Sequence, residues 1–296
     1  MINIAKIKCE KPIEELIKFG ILNIDKPAGW TSFDVVNKIR SMLNLSKCGH
    51  FGTLDPMVTG VLPICLANAC RIQDFFMHRD KTYIGTMKLH KTIAKKELEK
   101  EMKKFLGVIN QLPPRISRVK RVFRKREIMK FKILKFNSKE RKAEFIAEVE
   151  AGTYIRKLID DLGKNIGGAQ MIGLRRIKAG LFSEKDKEFT TLENLEKAIS
   201  KYKLGNSEEL RKLIIPAEII TELLPAVEVK PEFIGKLYNG SPLFDEMLKS
   251  LPKAKKIIEE KEPFAVISED KLIEIAKFSD KFEQKSILAK PEAVLR

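Results

Sequence analysis

The chain holds little that would tie it to metal, disulfide or membrane chemistry. It has four cysteines and three histidines in 296 residues. None of Cys9, Cys48, Cys65 and Cys70 forms a Cys-x-x-Cys pair, and His50, His78 and His90 show no ligand spacing, so no metal is predicted. Buried reduced thiols are expected, because free cysteine packs as a small hydrophobe. No apolar run approaches the ~20 residues of a membrane span. The N-terminal string Met-Ile-Asn-Ile-Ala-Lys-Ile-Lys lacks a signal-peptide core. A soluble, cytoplasmic protein is therefore expected. Repeats and low-complexity tracts are absent. Acidic residues are in deficit: 57 lysines and arginines face 40 acids, for a formal net charge of +17. That excess favours a polyanionic partner through counterion release and steering, without separating RNA from DNA or an acidic membrane. The 44% hydrophobic content allows a sizeable core, in one large domain or two smaller ones.

What is present concentrates in Gly49-His50-Phe51-Gly52-Thr53-Leu54-Asp55-Pro56-Met57-Val58-Thr59-Gly60. The three glycines permit backbone angles closed to other residues. Pro56 fixes the chain just after Asp55 and disfavours helix at Asp55 itself. Asp55 thus sits on a stiff loop before the apolar run Val61-Leu62-Pro63-Ile64-Cys65-Leu66. Two readings fit: a braced catalytic carboxylate, or a turn aspartate bonding nearby N–H groups.

Around this loop the pattern predicts alternating strands and helices. Residues 1–19 read as an arm with one helical turn at Ile13, Leu16 and Ile17. A strand over 20–25 ends in the turn Lys26-Pro27-Ala28-Gly29, which should support the Asp55 loop. Ser32 is placed as the N-cap of a helix with an apolar stripe at Val35, Val36, Ile39, Met42 and Leu43. Asn68 is placed as the cap of a helix carrying Ile72, Phe75 and Phe76. From Lys81, a strand alternates Tyr83, Gly85, Met87 and Leu89 against Ile84, Thr86 and Lys88. Residues 96–106 form an amphipathic helix with Leu98, Met102, Phe105 and Leu106 inward.

Beyond Pro113-Pro114 lies the densest basic stretch, from Arg115 to Lys142, including Arg118, Lys120, Arg121, Arg124 and Lys125. Phe123, Met129, Phe131, Ile133 and Phe136 interleave as strand anchors. Such a stretch protects a sheet edge or contacts RNA phosphates; its lopsided sign favours the latter. Phe145, Ala147 and Val149 alternate as a strand leading to Gly152-Thr153-Tyr154-Ile155-Arg156 and a helix. If strand geometry persists to its end, Tyr154 and Arg156 share a face. Gly167 to Gly180 reads as a Gly-rich turn before a basic strand, and Thr191 caps a helix. After about Leu223 the texture changes: a strand at 226–230, a helix ending at Asn239-Gly240, and a hairpin of Phe264–Ser268 and Lys271–Lys277 turning at Glu269-Asp270.

The string Gly-His-x-Gly-x-Leu-Asp-Pro-x-x-x-Gly resembles the catalytic motif of the TruB-type pseudouridine synthases. Gly152-Thr153-Tyr154-Ile155-Arg156 resembles that family's other signature, and the Gly167–Gly180 segment resembles its dyskerin-like branch, the catalytic subunit of H/ACA guide-RNA particles. Phe51 departs from the small polar residue more usual there, which puts the packing of the loop in question. The resemblance implies an α+β fold: a mixed, mainly antiparallel sheet with flanking helices, plus a small β-rich C-terminal PUA-like domain. It divides the chain into an arm (1–19), a catalytic domain (20–222) and a PUA-like RNA-binding domain (223–296); a plain structural cap is the alternative for the last. It implies isomerisation of uridine to pseudouridine in rRNA under an H/ACA guide, and in tRNA, with small companion proteins and no cofactor. In its terms Asp55 is the nucleophile, Tyr83 stacks on the uracil, Tyr154 and Leu174 line the pocket, and Arg156 pairs with Asp55. His50 reads as a turn residue or an RNA contact, and Tyr83 taken alone reads more readily as a half-buried strand tyrosine. The rivals are a stand-alone synthase for the tRNA T-loop and a non-catalytic RNA-binding scaffold.

Overall fold

The computed structural model describes residues 2–113, 120–278 and 287–295. The main sheet is built from β1 (Gly20–Lys26), β2 (Cys48–His50), β3 (Thr59–Leu66), β4 (Lys81–Leu89), β5 (Gly107–Gln111), β6 (Arg124–Asn137), β7 (Lys142–Val149), β8 (Ala169–Ala179), β9 (Phe182–Ser183), β10 (Thr190–Thr191) and β11 (Ile214–Pro216). Its central order is β10-β1-β3-β8-β4-β7-β6-β5, with β11 on β1, β2 on β3 and β9 on β8. Within this sheet, among the described residues, only β1–β10 and β3–β8 pair parallel. The fold is thus mixed α+β and mainly antiparallel, as the sequence pattern implies.

Alternation decides which face is buried. In β4, Lys81, Tyr83, Gly85, Met87 and Leu89 all point inward, and in β7 Ala143, Phe145, Ala147 and Val149 do so. Helices Ser32–Met42, Lys95–Lys103, Ile155–Ile166 and Leu192–Lys203 cover that face, contributing Val35, Leu98, Leu158 and Leu195 to one core. Ile155–Ile166 ends at Gly167 with φ 79°, a left-handed cap. In β6 the alternation breaks: Ile128 and Phe131 are buried, whereas Phe123, ahead of the strand, and Met129 are exposed. The cause is a pair of register shifts against β7, one within Ile128–Lys130 and one within Ile133–Lys135. Leu106 lies beyond the end of its helix and is exposed too.

Three other expectations need correction. The first helix is capped by Thr31, whose hydroxyl and Asp34 form a capping box; Ser32 is the next residue in. The segment at Asn68 is a short 3-10 helix, Ala67–Ile72, flanked by Leu66. Residues 1–19 are not a peripheral arm, for Ile13, Leu16 and Ile17 are buried in the main core. Ile2 and Ile7 belong to a second apolar cluster that also contains Ala265, Ile267, Leu272 and Ile275. The N-terminal helix Ile4–Glu10 is therefore wedged between the two halves of the chain, with Lys6 paired to Asp270 at 2.7 Å.

The C-terminal sheet comprises β12 (Ala226–Glu228), β13 (Leu243–Phe244), β14 (Phe264–Ser268), β15 (Lys271–Phe278) and β16 (Ile287–Val294), ordered β12-β14-β15-β16-β13. The hairpin β14–β15 lies where its pattern put it, with Glu269 at φ 54° in the turn. In β15, Glu274 has no exposed surface, and neither carboxyl oxygen has a partner. Burial pushes this carboxyl from 4.5 up to about 8, so it is neutral at neutral pH. Between those values the folded chain holds a proton that the unfolded chain has lost, so stability falls as pH rises through the window. The slope is about 1.4 kcal/mol per pH unit. Glu274→Gln is expected to flatten that slope and raise Tm toward its upper end. Thermal melts at several pH values within the window check this, and an unchanged slope would contradict it.

Candidate active site

The Asp55 loop leaves β2 at His50 and re-enters the sheet at Thr59, and four separate devices hold it. Phe51 is its apolar foot, 1% exposed and stacked on Phe76 at 4.6 Å between ring centroids, with Phe182 at 5.7 Å. The departure at this position thus gives the loop an aromatic anchor. The buried Ser32 hydroxyl accepts from the Leu54 N–H at 2.8 Å and donates to the Leu54 carbonyl at 3.2 Å. Lys26, with no exposed surface, donates to the carbonyls of Pro27, Trp30 and Pro56 at 2.8, 2.6 and 2.9 Å. The support expected of the proline turn thus comes from its lysine. Arg176 is the fourth device, 1% exposed, donating to Val61 O at 2.7 Å and Gly52 O at 3.0 Å.

The loop glycines act in two ways. Gly52 and Gly60 have φ of 123° and 98°, in the region that favours glycine. Gly49 does not; there a Cβ would stand 2.1 Å from Gln73 Oε1, so its role is close approach. His50 accepts the Gly52 N–H at Nδ1, 3.3 Å away. Burial, then the charge of Arg176, hold its imidazole below the ordinary value, so it is neutral at pH 7.

Arg156 meets Asp55 through an ion pair between its Nη2 and Asp55 Oδ2. Contrary to the shared-face expectation, Tyr154 is the N-cap of helix Ile155–Ile166 and Arg156 lies in its first turn. Both partners of the pair are about half exposed, where such pairs stabilise a fold by only about 0–1 kcal/mol. Its consequence is orientation of the carboxylate. Tyr154 is fixed by Gln111, the last residue of β5. The Gln111 side chain accepts the Tyr154 N–H at 2.7 Å and donates to the Tyr154 carbonyl at 3.1 Å.

Tyr83, 8% exposed, stands directly across the β4–β8 ladder from Arg176, the group that also holds Gly52. Leu174 pairs with Gly85 across β4–β8. A Cβ on Gly85 would meet Leu174 at 2.9 Å and Phe145 at 2.5 Å, so glycine there lets both side chains close over the strand. Leu174 also lines an open hollow of about 340 Å³ with Met57, Thr59, Ile84 and Thr86. The structure thus pairs Asp55 with Arg156 and sets Tyr154 at the start of the helix that bears Arg156. It keeps His50 bonded within the loop, lines one hollow with Leu174 and the loop residue Met57, and places Tyr83 across the ladder from Arg176. Ser32, Gln111 and Arg176 complete the site. Nothing in their spacing marked them, because a buried polar residue with backbone partners reads in sequence like a surface one.

This geometry can be set beside known proteins. Residues 40–155 match the family described as TruB family pseudouridylate synthase (N terminal domain), and residues 156–222 match the tRNA pseudouridylate synthase B C-terminal domain. The chain belongs to the TruB family of pseudouridine synthases. It is 40% identical over 235 residues to a probable tRNA pseudouridine synthase B of Archaeoglobus fulgidus, covering 79% of this chain and 71% of the relative. For the protein of the same name in Methanopyrus kandleri the identity is 41% over 236 residues, covering 79% and 69%. Among solved structures, a Cbf5-Nop10-Gar1 complex matches with TM-score 0.86 and 35% identity, over 98% of this chain and 88% of the other. An H/ACA RNP bound to a substrate RNA containing 2'-deoxyuridine matches with TM-score 0.82 and 33% identity, over 98% and 89%. The protein is accordingly an RNA pseudouridine synthase of the dyskerin-like branch.

Ser32→Ala would strand the Leu54 N–H in a buried position. It is expected to destabilise the synthase by about 1–3 kcal/mol and to lower turnover. Denaturant titration with an RNA assay checks both, and an unchanged midpoint would show that the loop is held without Ser32.

Proposed function

We propose that the chain converts uridine to pseudouridine in rRNA under the direction of an H/ACA guide RNA, with small companion proteins, and that tRNA is a further substrate. The ion pair of Asp55 with Arg156 carries this reading, because it sets an oriented carboxylate beside the helix start whose N-cap is Tyr154. In this mechanism the target uridine leaves its stack and enters the site. Asp55 acts as nucleophile, the C1′–N1 bond breaks, the uracil turns, and a C1′–C5 bond forms as Asp55 is released; C5 then loses its proton and N1 gains one, so the product is an isomer of the substrate. Tyr83 stacks on the base, Tyr154 and Leu174 shape the pocket, and Arg156 keeps the Asp55 oxygens aimed. Exclusion of water favours recombination over escape of the freed base. His50 serves mainly the turn, since its Nδ1 is engaged by Gly52.

The RNA backbone is assigned to the basic stretch. Lys120, Arg121 and Lys125 are exposed and Arg124 is half-buried; Arg118 lies outside the described residues. Arg124 stands opposite Gln111 in the β5–β6 ladder, so this surface begins beside the clamp on Tyr154. We assign residues 20–222 to catalysis and 223–296 to a PUA-like RNA-binding domain. No helix of the described residues is long and apolar enough to cross a membrane, and the cytoplasm is the proposed compartment.

The names of the curated relatives favour a second reading, a stand-alone tRNA enzyme. Assay of the purified chain on tRNA without guide RNA separates the two. Asp55→Asn is expected to retain RNA affinity and abolish product. Modification unchanged by Asp55→Asn would instead identify a scaffold.

A further inference from the structure

Among the described residues, Arg176 is one of the largest side chains with almost no exposed surface. Its hydrogen bonds go to two backbone carbonyls and to no carboxylate, and Tyr83 is its neighbour across the β4–β8 ladder. The charge lies among others of its own sign. Lys26 and Lys81 are also buried and also satisfied by backbone carbonyls. Burial, with Arg176 next in effect, lowers both amines, Lys81 to about 8. A buried cation without an anionic partner costs stability that an apolar side chain of similar volume would not. Such a group persists where its geometry is needed.

That geometry is specific. Val61 and Gly52 are the two feet of the Asp55 loop, one in β3 and one just beyond β2. Tyr83 comes from β4, and Arg176 itself from β8. One planar guanidinium therefore ties both ends of the loop to the strand pair that carries the ring. Its own strand is pressed against the loop as well: a Cβ on Gly60 would stand 2.2 Å from the Arg176 carbonyl. Because Arg176 is enclosed, it does not meet RNA.

We infer that Arg176 is a positioning residue for the isomerisation, a rigid crossbar that sets the Tyr83 ring at a fixed separation from the Asp55 carboxylate while the uracil turns between them. The inference rests on the roles proposed above for Asp55 and Tyr83. Lysine cannot reproduce the fork, since it offers a point charge in place of a plane of donors. A ring displaced by an ångström costs on the order of 100-fold in rate.

The test uses the full chain, in whichever assembly the wild type turns over RNA. Arg176→Lys, Arg176→Met, Tyr83→Phe and the two double variants are compared by single-turnover rate and RNA affinity. Expected results are a loss of about 100-fold in rate for Arg176→Met, a smaller loss for Arg176→Lys, and unchanged RNA affinity. In the Tyr83→Phe background the Arg176 substitutions should have a smaller effect than in the wild type, because the seat of the phenol is already altered and only the two carbonyl bonds to the loop remain to be lost. Wild-type rates in a folded Arg176 variant, equal losses in both tyrosine backgrounds, or a loss confined to RNA affinity would each overturn the inference. If Arg176→Met fails to fold, the Arg176→Lys and Tyr83→Phe pair carries the same comparison. Asp55→Asn separates the two layers: turnover retained there defeats the underlying mechanism, whereas an inactive Asp55→Asn beside fully active Arg176 variants defeats this inference alone.

Discussion

The ion pair between Asp55 and Arg156 joins positions 101 residues apart, and the rest of the structure makes that meeting repeatable. Neither partner is buried enough for the pair to be a large source of stability. The loop and the helix start must therefore be held by other means, and each is held from behind. Phe51, Ser32, Lys26 and Arg176 fasten the loop; Gln111 fastens the residue from which the helix begins. The pair is the visible end of two braced arms.

The bracing runs on an uncommon arrangement of charge. Three enclosed cations, Lys26, Lys81 and Arg176, bond backbone carbonyls where most buried charges find an opposite charge. Most of these carbonyls, those of Pro27, Trp30, Gly52, Pro56 and Arg79, lie in turns and loops with acceptors to spare, while Val61 belongs to β3 and Met77 ends a short helix. The arrangement sacrifices stability to hold an irregular backbone in one shape beneath the site. The C-terminal sheet shows the opposite case in Glu274, which is enclosed without partners and stays neutral.

Much of this was legible in the residues. Strict alternation marks β4 and β7, and the apolar periodicity of residues 155–162 marks the helix whose first turn bears Arg156. The Asp55 loop announces itself through glycine and proline. Other features were not legible, for identifiable reasons. Pro291 argues against a strand, yet β16 accepts it opposite Ala276 next to a register shift. The first 19 residues look polar enough for an arm because only one side of each short helix is apolar, and that side is the one wedged inward. Arg175 and Arg176 are identical letters, but Arg175 pairs with Asp25 and Glu184 while Arg176 turns to the interior. Which neighbour goes inward is settled by the pairing of β8 with β3 and β4, a tertiary fact.

A crystal structure of the chain bound to RNA containing its target uridine would test the convergence most directly. The account predicts the uridine flipped from its stack, its base over Tyr83, and its reacting atom within about 3.5 Å of an Asp55 oxygen. A uridine still stacked in the RNA, or seated away from the Asp55–Arg156 pair, would contradict it.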